Sequence, residues 1–224
     1  NNGSLKLNPA TATYTGGVVL NSAQLTIGNN TALGTGPLAA NGCSLLPNGS
    51  TPVSLTNSVW LNGTIGFGDY TTQSPGSFTW NTSGSNKWTL IGGDRTIMIS
   101  TLTGGYDVTI YQPIAEDAPL RALIKAGNGD LTLNGVNTYT GNTVVQDGTL
   151  SLGKASLADL STVILSSLAT LNLNFAATTP DTIHAFYING VKQTNGTWGA
   201  IGSGAMFESV QITGTGLLSV GDFE

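Results

Sequence analysis

The stretch "NGVNTYTGNTVVQDGTLSLG", residues 134–153, decides the fold. It holds no acid–base pair, no metal-ligand cluster and no cysteine, yet it is sharply punctuated by Asn-Gly, Tyr-Thr-Gly, Asp-Gly and Leu-Ser-Leu-Gly. Gly, Asn and Asp suit corners, where the chain turns and φ becomes positive. Between corners, apolar and polar residues alternate, the mark of a strand with one face buried and one wet. The Val and Leu positions read as the inward ones. The same grammar runs through "SLKLN", "VVLNSAQLTIG", "RTIMIST", "DVTIYQ", "ATLNLNF" and "VQITGTG". Only "KASLADLS" (154–161) suggests helix, and that for one or two turns.

Composition supports an all-β reading. Charged residues are 8% of the chain, against about 25% in ordinary soluble domains. Exposed helix faces are built from Glu, Lys, Gln and Arg, so their scarcity argues against helices. Ample Val, Ile and Leu argue against disorder. A chain of 224 residues can bury a sizeable core, and residues 1–224 read as a single domain. The net charge is −5 and the seven Lys and Arg are scattered, leaving no basic stripe for nucleic acid. Cys43, the single cysteine, reads as a buried thiol. The chain opens on "NNGSLKLN", as a mature or trimmed segment does, with no run of 18 apolar residues. Its strands are too short, and its aromatics too irregular, for a membrane barrel, so no membrane insertion is expected.

Two segments repeat each other. "YTGGVVLNSAQLTIG" (14–28) aligns with "YTGNTVVQDGTLSLG" (139–153), matching Tyr14, Gly16, Val19, Leu25 and Gly28 to Tyr139, Gly141, Val144, Leu150 and Gly153. Just upstream, "LKLN" (5–8) matches "LTLN" (131–134). Repetition of one supersecondary unit marks a stacked, quasi-one-dimensional fold. The segment 123–157, "LIKAGNGDLTLNGVNTYTGNTVVQDGTLSLGKASL", resembles the autotransporter-associated β-strand repeat, also known as the passenger-associated transport repeat. Residues 12–38 resemble a second, looser copy, so repeat-like units stand near 5–38 and 123–157. The closing segment 185–220 resembles the C-terminal ends of large secreted proteins that carry this repeat. The resemblance implies a right-handed parallel β-helix (β-solenoid), secreted to the bacterial cell surface. Coils of roughly 20–25 residues would give about nine or ten, a rod about 45 Å long.

Motifs for chemistry are sparse. His184 is the lone histidine, so no triad can be built without it. "GGDRT" (Asp94, Arg95) and "EDAPLR" (Glu116, Asp117, Arg121) are the nearest approach to the acid-with-base clusters of polysaccharide lyases and hydrolases. Asp130 and Asp147 read as turn-stabilising residues. "GNGD" hints at a calcium turn, but the Gly-Gly-x-Gly-x-Asp repeat of calcium β-rolls is absent. No catalytic, cofactor or metal residues are assigned, and the chain reads as a non-enzyme. Trp60, Phe67, Tyr70, Phe78, Trp80 and Trp88 concentrate between 60 and 90. They either fill a wider coil or, through Trp80 and Trp88, offer an exposed carbohydrate platform.

Both ends, "GSLKLN" and "GTGLLSVGDFE", look strand-like, with no amphipathic helix as a cap. Uncapped solenoid ends present unpaired backbone groups. The leading expectation is therefore an extracellular structural subunit that stacks head to tail into a fibre or filament. Leu5 and Leu7 would meet Leu217, Leu218 and Val220 of the next copy. The alternatives are a passenger segment of an adhesin that binds glycan or protein on a host surface, and, behind it, a polysaccharide lyase or hydrolase.

Overall fold

The structure, a computed structural model, describes residues 4–9, 11–68, 76–101 and 107–221. The described chain contains no helix. It winds as a parallel β-helix with three sides, and the middle coils place a strand on all three. Side one stacks β1 (Ser4–Leu7), β3 (Gln24–Ile27), β5 (Cys43–Pro47), β8 (Ile65–Phe67), β11 (Arg95–Ile99) and β14 (Leu123–Ala126). It continues through the first halves of β16 (Thr143–Leu152) and β17 (Thr162–Leu173) to β19 (Ala185–Ile188). Side two stacks β6 (Val53–Leu55), β9 (Phe78–Trp80), β12 (Asp107–Ile110), β15 (Asp130–Leu133), the second halves of β16 and β17, and β23 (Ile212–Gly214). Side three stacks β2 (Val18–Asn21), β4 (Leu38–Asn41), β7 (Val59–Leu61), β10 (Trp88–Leu90) and β13 (Ile114–Glu116).

Nine strands lie along side one, within the nine or ten coils expected. The register gives the coil length directly. Ser4 faces Gln24 and Gln24 faces Ser44; Lys125 faces Val145 and Val145 faces Leu165, so these coils take 20 residues each. In between, Gly66 faces Met98 and Met98 faces Ala126, so two coils are longer. Each strand holds one residue per rung in register with the next. Inward positions therefore stack into dry rows such as Leu55, Trp80, Ile110, Leu133, Leu152 and Leu173. One continuous hydrophobic cluster runs the length of the rod.

The repeat 134–153 encodes one coil, but not every residue acts as its type suggests. Gly148 does take a left-handed φ of 65° at the Asp-Gly corner. Gly141 does not. A Cβ there would lie 2.3 Å from the Arg121 carbonyl of the preceding coil, so close backbone approach is what demands glycine. Asn137 accepts the amide of Ile114 at 3.1 Å, and the Thr138 amide donates to the Ile114 carbonyl at 2.8 Å. An asparagine side chain thereby extends the ladder of side three where no strand forms. Tyr139 is buried, with its hydroxyl 2.7 Å from Thr143 Oγ1. Val145 points inward, whereas Val144 and its counterpart Val19 point out, Val19 being 64% exposed. The expected helical turn at 154–161 is absent. The amides of Ser156 and Leu157 donate instead to the Asp181 carboxylate, at 3.0 and 3.1 Å.

Candidate functional site

The two ends of the rod differ. At the first rung, Leu5 and Leu7 occupy inward positions opposite Leu25 and Ile27. Leu25 and Ile27 are fully buried, but Leu5 is 56% exposed because no rung covers it. Among the described residues, β1 and β2 each pair along one edge only. An uncovered hydrophobic cross-section is thus flanked by unpaired backbone groups, the arrangement that invites another strand.

At the far end Leu218 and Val220, expected to share an open face with Leu217, lie on a strand paired along both edges, whereas β23 pairs with β17 alone among the described residues. β24 (Leu218–Val220) is flanked on both edges, by β18 (Asp181–Ile183) in parallel and by β21 (Gly196–Gly199) antiparallel. Leu218 is fully buried, Val220 nearly so and Leu217 half-buried. β19 is likewise covered by the antiparallel β20 (Val191–Lys192), and β21 carries the two-residue β22 (Phe207–Glu208) on its outer edge. The core beneath is plugged by aromatics. Trp198 stands edge-on to Phe186 at 5.6 Å and stacks on Phe207 at 5.0 Å. Gln211 donates to the carbonyls of Ser166 and Ala169 at 2.7 and 2.8 Å, tying the cap to β17. Antiparallel cover uses the outer edges of β19 and β24, while among the described residues the outer edge of β23 is unpaired.

The tryptophan platform also fails. Trp80 and Trp88 are fully buried and meet edge-to-face at 5.0 Å, with Phe67 and Phe78 packed beside Trp80. They fill the longer coils. Tyr70 lies outside the described residues. The exposed indole of this region is Trp60, at 47%. The alternation carried that signal: Trp60 sits between inward Val59 and Leu61, whereas Trp80 follows Phe78 by two residues and Trp88 precedes Leu90 by two.

Several of the charged residues hold corners and ladders. Asp117 pairs with Arg121 at 3.1 Å and accepts the Gly92 amide at 2.9 Å, which holds its carboxyl below the ordinary range. Asp94 accepts the amide of Ala122, and Glu116 those of Arg121 and the Thr140 hydroxyl. Asp147 accepts the Gly148 amide at 2.7 Å, the turn-stabilising role expected. Asp130 stands opposite Asp107 on the next rung; burial and that neighbouring charge push the Asp107 carboxyl up. His184 donates its backbone amide to Ser161 at 2.9 Å. Cys43 is buried, and burial pushes its thiol up to about 11, so it is a poor nucleophile. Among the described residues, no three His, Cys, Asp or Glu side chains converge as metal ligands.

Two buried ionisable groups went unrecognised in the sequence. Lys125 projects inward between Ile97 and Val145, fully buried, with its ammonium on the carbonyls of Gly127, Asp147 and Ala126 at 2.6, 2.9 and 3.2 Å. This explains the lysine that opens the repeat: it closes the corner between sides one and two. Asp181 is 4% exposed, and burial pushes its carboxyl up to about 6.

Comparison with known proteins agrees with the arrangement of that coil. No curated protein and no solved structure matches the chain. Residues 123–152 match the family model of the passenger-associated-transport-repeat, the stretch that runs from β14 through Lys125, Tyr139 and Gly141 to the end of β16.

Proposed function

We propose that this chain is a non-catalytic structural element of a secreted bacterial surface protein of the passenger type. The repeat match at 123–152 supports that setting. So does the use of its motif residues, which make corners, ladders and core rather than a reactive centre. The observation that carries the reading further is the asymmetry of the ends. A filament needs a donor and an acceptor face on every subunit, with a heterologous contact between them. Among the described residues, β1 presents an open edge and an uncovered leucine, while at the far end β24 is paired on both sides and β23 keeps a short open edge without an exposed core residue. Association through β1 alone is isologous and stops at two: the β1 strands of two copies pair antiparallel, burying Leu5 and Leu7 against each other.

The test is the mass of the purified chain by light scattering across a concentration series, with negative-stain imaging. A dimer that Leu5→Glu converts to monomer is the expected result. A monomer at every concentration, or filaments, overturns the pairing.

A further inference from the structure

Side three carries an outer surface that the structural role does not use. Its first four strands, β2, β4, β7 and β10, read VVLN, LAAN, VWL and WTL without a charged residue, and only the last, β13, ends on one, Glu116. Their outward positions form two rows. One runs Val19, Ala39, Trp60 and Thr89 on successive rungs. The other, two residues on, is a ladder of amides: Asn41 Nδ2 donates to Asn21 Oδ1 at 2.6 Å, and Asn62 Nδ2 to Asn41 Oδ1 at 2.7 Å. Each ladder hydrogen bond uses one proton and one lone pair, so every asparagine keeps donor and acceptor capacity facing outward.

The ladder stands on a corner and leads into a groove. Ser22 (φ 47°) and Gly42 (φ 72°) turn the chain sharply after Asn21 and Asn41. Just beyond them, on side one, lies an open depression of about 450 Å³ lined by Ser22, Gln24, Ser44, Thr64, Gly66 and Met98. Gly66 makes the dip, since it replaces a side chain in the outward row between Ser44 and Met98. Trp60, Asn62, Thr64 and Gly66 alternate along one short segment. Indole, amide ladder and hydroxyl-lined groove therefore form one continuous strip round the corner.

We infer that this strip binds a neutral, linear polysaccharide lying along the rod axis. Sugar rings present an apolar C–H face and a rim of hydroxyls. An exposed indole receives the first, and amides and hydroxyls the second. Rungs repeat at about 4.8 Å, close to the advance of one hexose in an extended chain, so successive sugars meet successive amides of the ladder, and one of them meets the indole. The absence of charge argues against phosphate-bearing or uronate chains. The exposed apolar groups, chiefly Val19 and Trp60, are too few for the hydrophobic centre of a stable protein interface.

The site begins one rung from β1, but its indole lies on β7, the third strand of side three counted from β2, so loss of binding in Trp60→Ala is read apart from the Leu5-dependent dimer. Trp80, Trp88 and Trp198 are buried, so a ligand-induced change in tryptophan emission reports Trp60. Purified chain is titrated with cellohexaose, mannohexaose, maltohexaose and chitohexaose, with hexagalacturonate as the charged control. At least one neutral hexaose should shift the emission. In a calorimetric titration its affinity should fall about tenfold in Trp60→Ala, as loss of one aromatic stacking partner predicts, and fall again in Gly66→Val, which fills the groove. Circular dichroism checks that both variants keep the wild-type fold. The inference is overturned if no neutral hexaose binds at millimolar concentration, if only hexagalacturonate binds, or if Trp60→Ala binds as well as wild type. A Trp60-dependent change in oligomer size without any glycan response also overturns it, and makes the strip a contact between copies.

Discussion

Lys125→Met tests how the repeat closes its corner. The lysine places an ammonium in an inward row whose neighbours on adjacent rungs are Ile97 and Val145. Its partners are three backbone carbonyls and no carboxylate. Burial drags its pKa from 10.5 to about 8, while the charges of Asp147 and Asp130 pull the other way without cancelling it. At about 1.4 kcal/mol per pH unit, the ionised side chain costs the native state about 3 kcal/mol at neutral pH relative to the unfolded chain. Above the folded pKa the native protein has released a proton that the unfolded chain still holds. Native stability from this group therefore rises with pH between about 8 and 10.5. Methionine fills a similar volume and does not titrate, but it leaves the carbonyls without their donor, a loss of about 1–3 kcal/mol. At neutral pH the two effects oppose each other; their difference across pH does not. Cys43 and Tyr139, both pushed up by burial, titrate in the opposite sense at alkaline pH, but equally in both proteins. Urea unfolding followed by far-ultraviolet circular dichroism, for wild type and variant at about pH 7 and about pH 9.5, isolates the lysine. The gap should move in favour of wild type by about 2 kcal/mol between those conditions. A gap that stays flat refutes a desolvated ammonium at this corner.

Asp181 gives the opposite pH dependence. Its carboxyl rises from 3.8 to about 6 through burial, so the native state binds the extra proton in that window and loses about 3 kcal/mol as pH climbs through it. The melting temperature of Asp181→Asn should lack this fall between acid and neutral pH. Trp88→Ala should cost about 3–5 kcal/mol in urea unfolding, while Trp60→Ala stays within about 0.5 kcal/mol of wild type. Equal effects would mean that the two side chains are not on opposite faces. Gly141→Ala forces a Cβ to 2.3 Å from the Arg121 backbone, so it should destabilise by about 1–3 kcal/mol despite leaving φ unstrained.

What the sequence made legible was whatever depends on period. Alternation and internal repetition pointed to stacked strands, although the two aligned copies fall one side apart: residues 18–21 lie on side three and 143–145 on side one. What it hid depends on phase and on distance between coils. A one-residue phase shift moves a side chain from core to surface. That shift separates Val144 from Val145, and Trp60 from Trp80 and Trp88. Gly141 looks like any corner glycine, because a close approach to Arg121, 20 residues earlier, leaves no local mark. Lys125 reads as a solvated charge until the coil is closed and its carbonyl cage appears.

The cap was hidden for a different reason. Its strands are written in the same Gly, Asn and Thr vocabulary as the coils, and "INGVKQTNGTWGAIGSGA" passes for one more turn of the helix. Only the reversal of direction at Asn189, which holds a φ of 53° ahead of Gly190 at 77°, separates a hairpin from a corner. That reversal changes what the molecule can build. A parallel rung at the end of a β-helix passes its unpaired edge to whatever follows. An antiparallel rung folds back and spends the edge on its own chain, so that side one ends on the two-residue β20 and the small sheet of β24 on the two-residue β22, carrying Glu208, while β23 ends side two. Short charged edges resist further pairing. Among the described residues, unpaired parallel edges then remain at β23 and at β1, and at β1 a core leucine faces solvent.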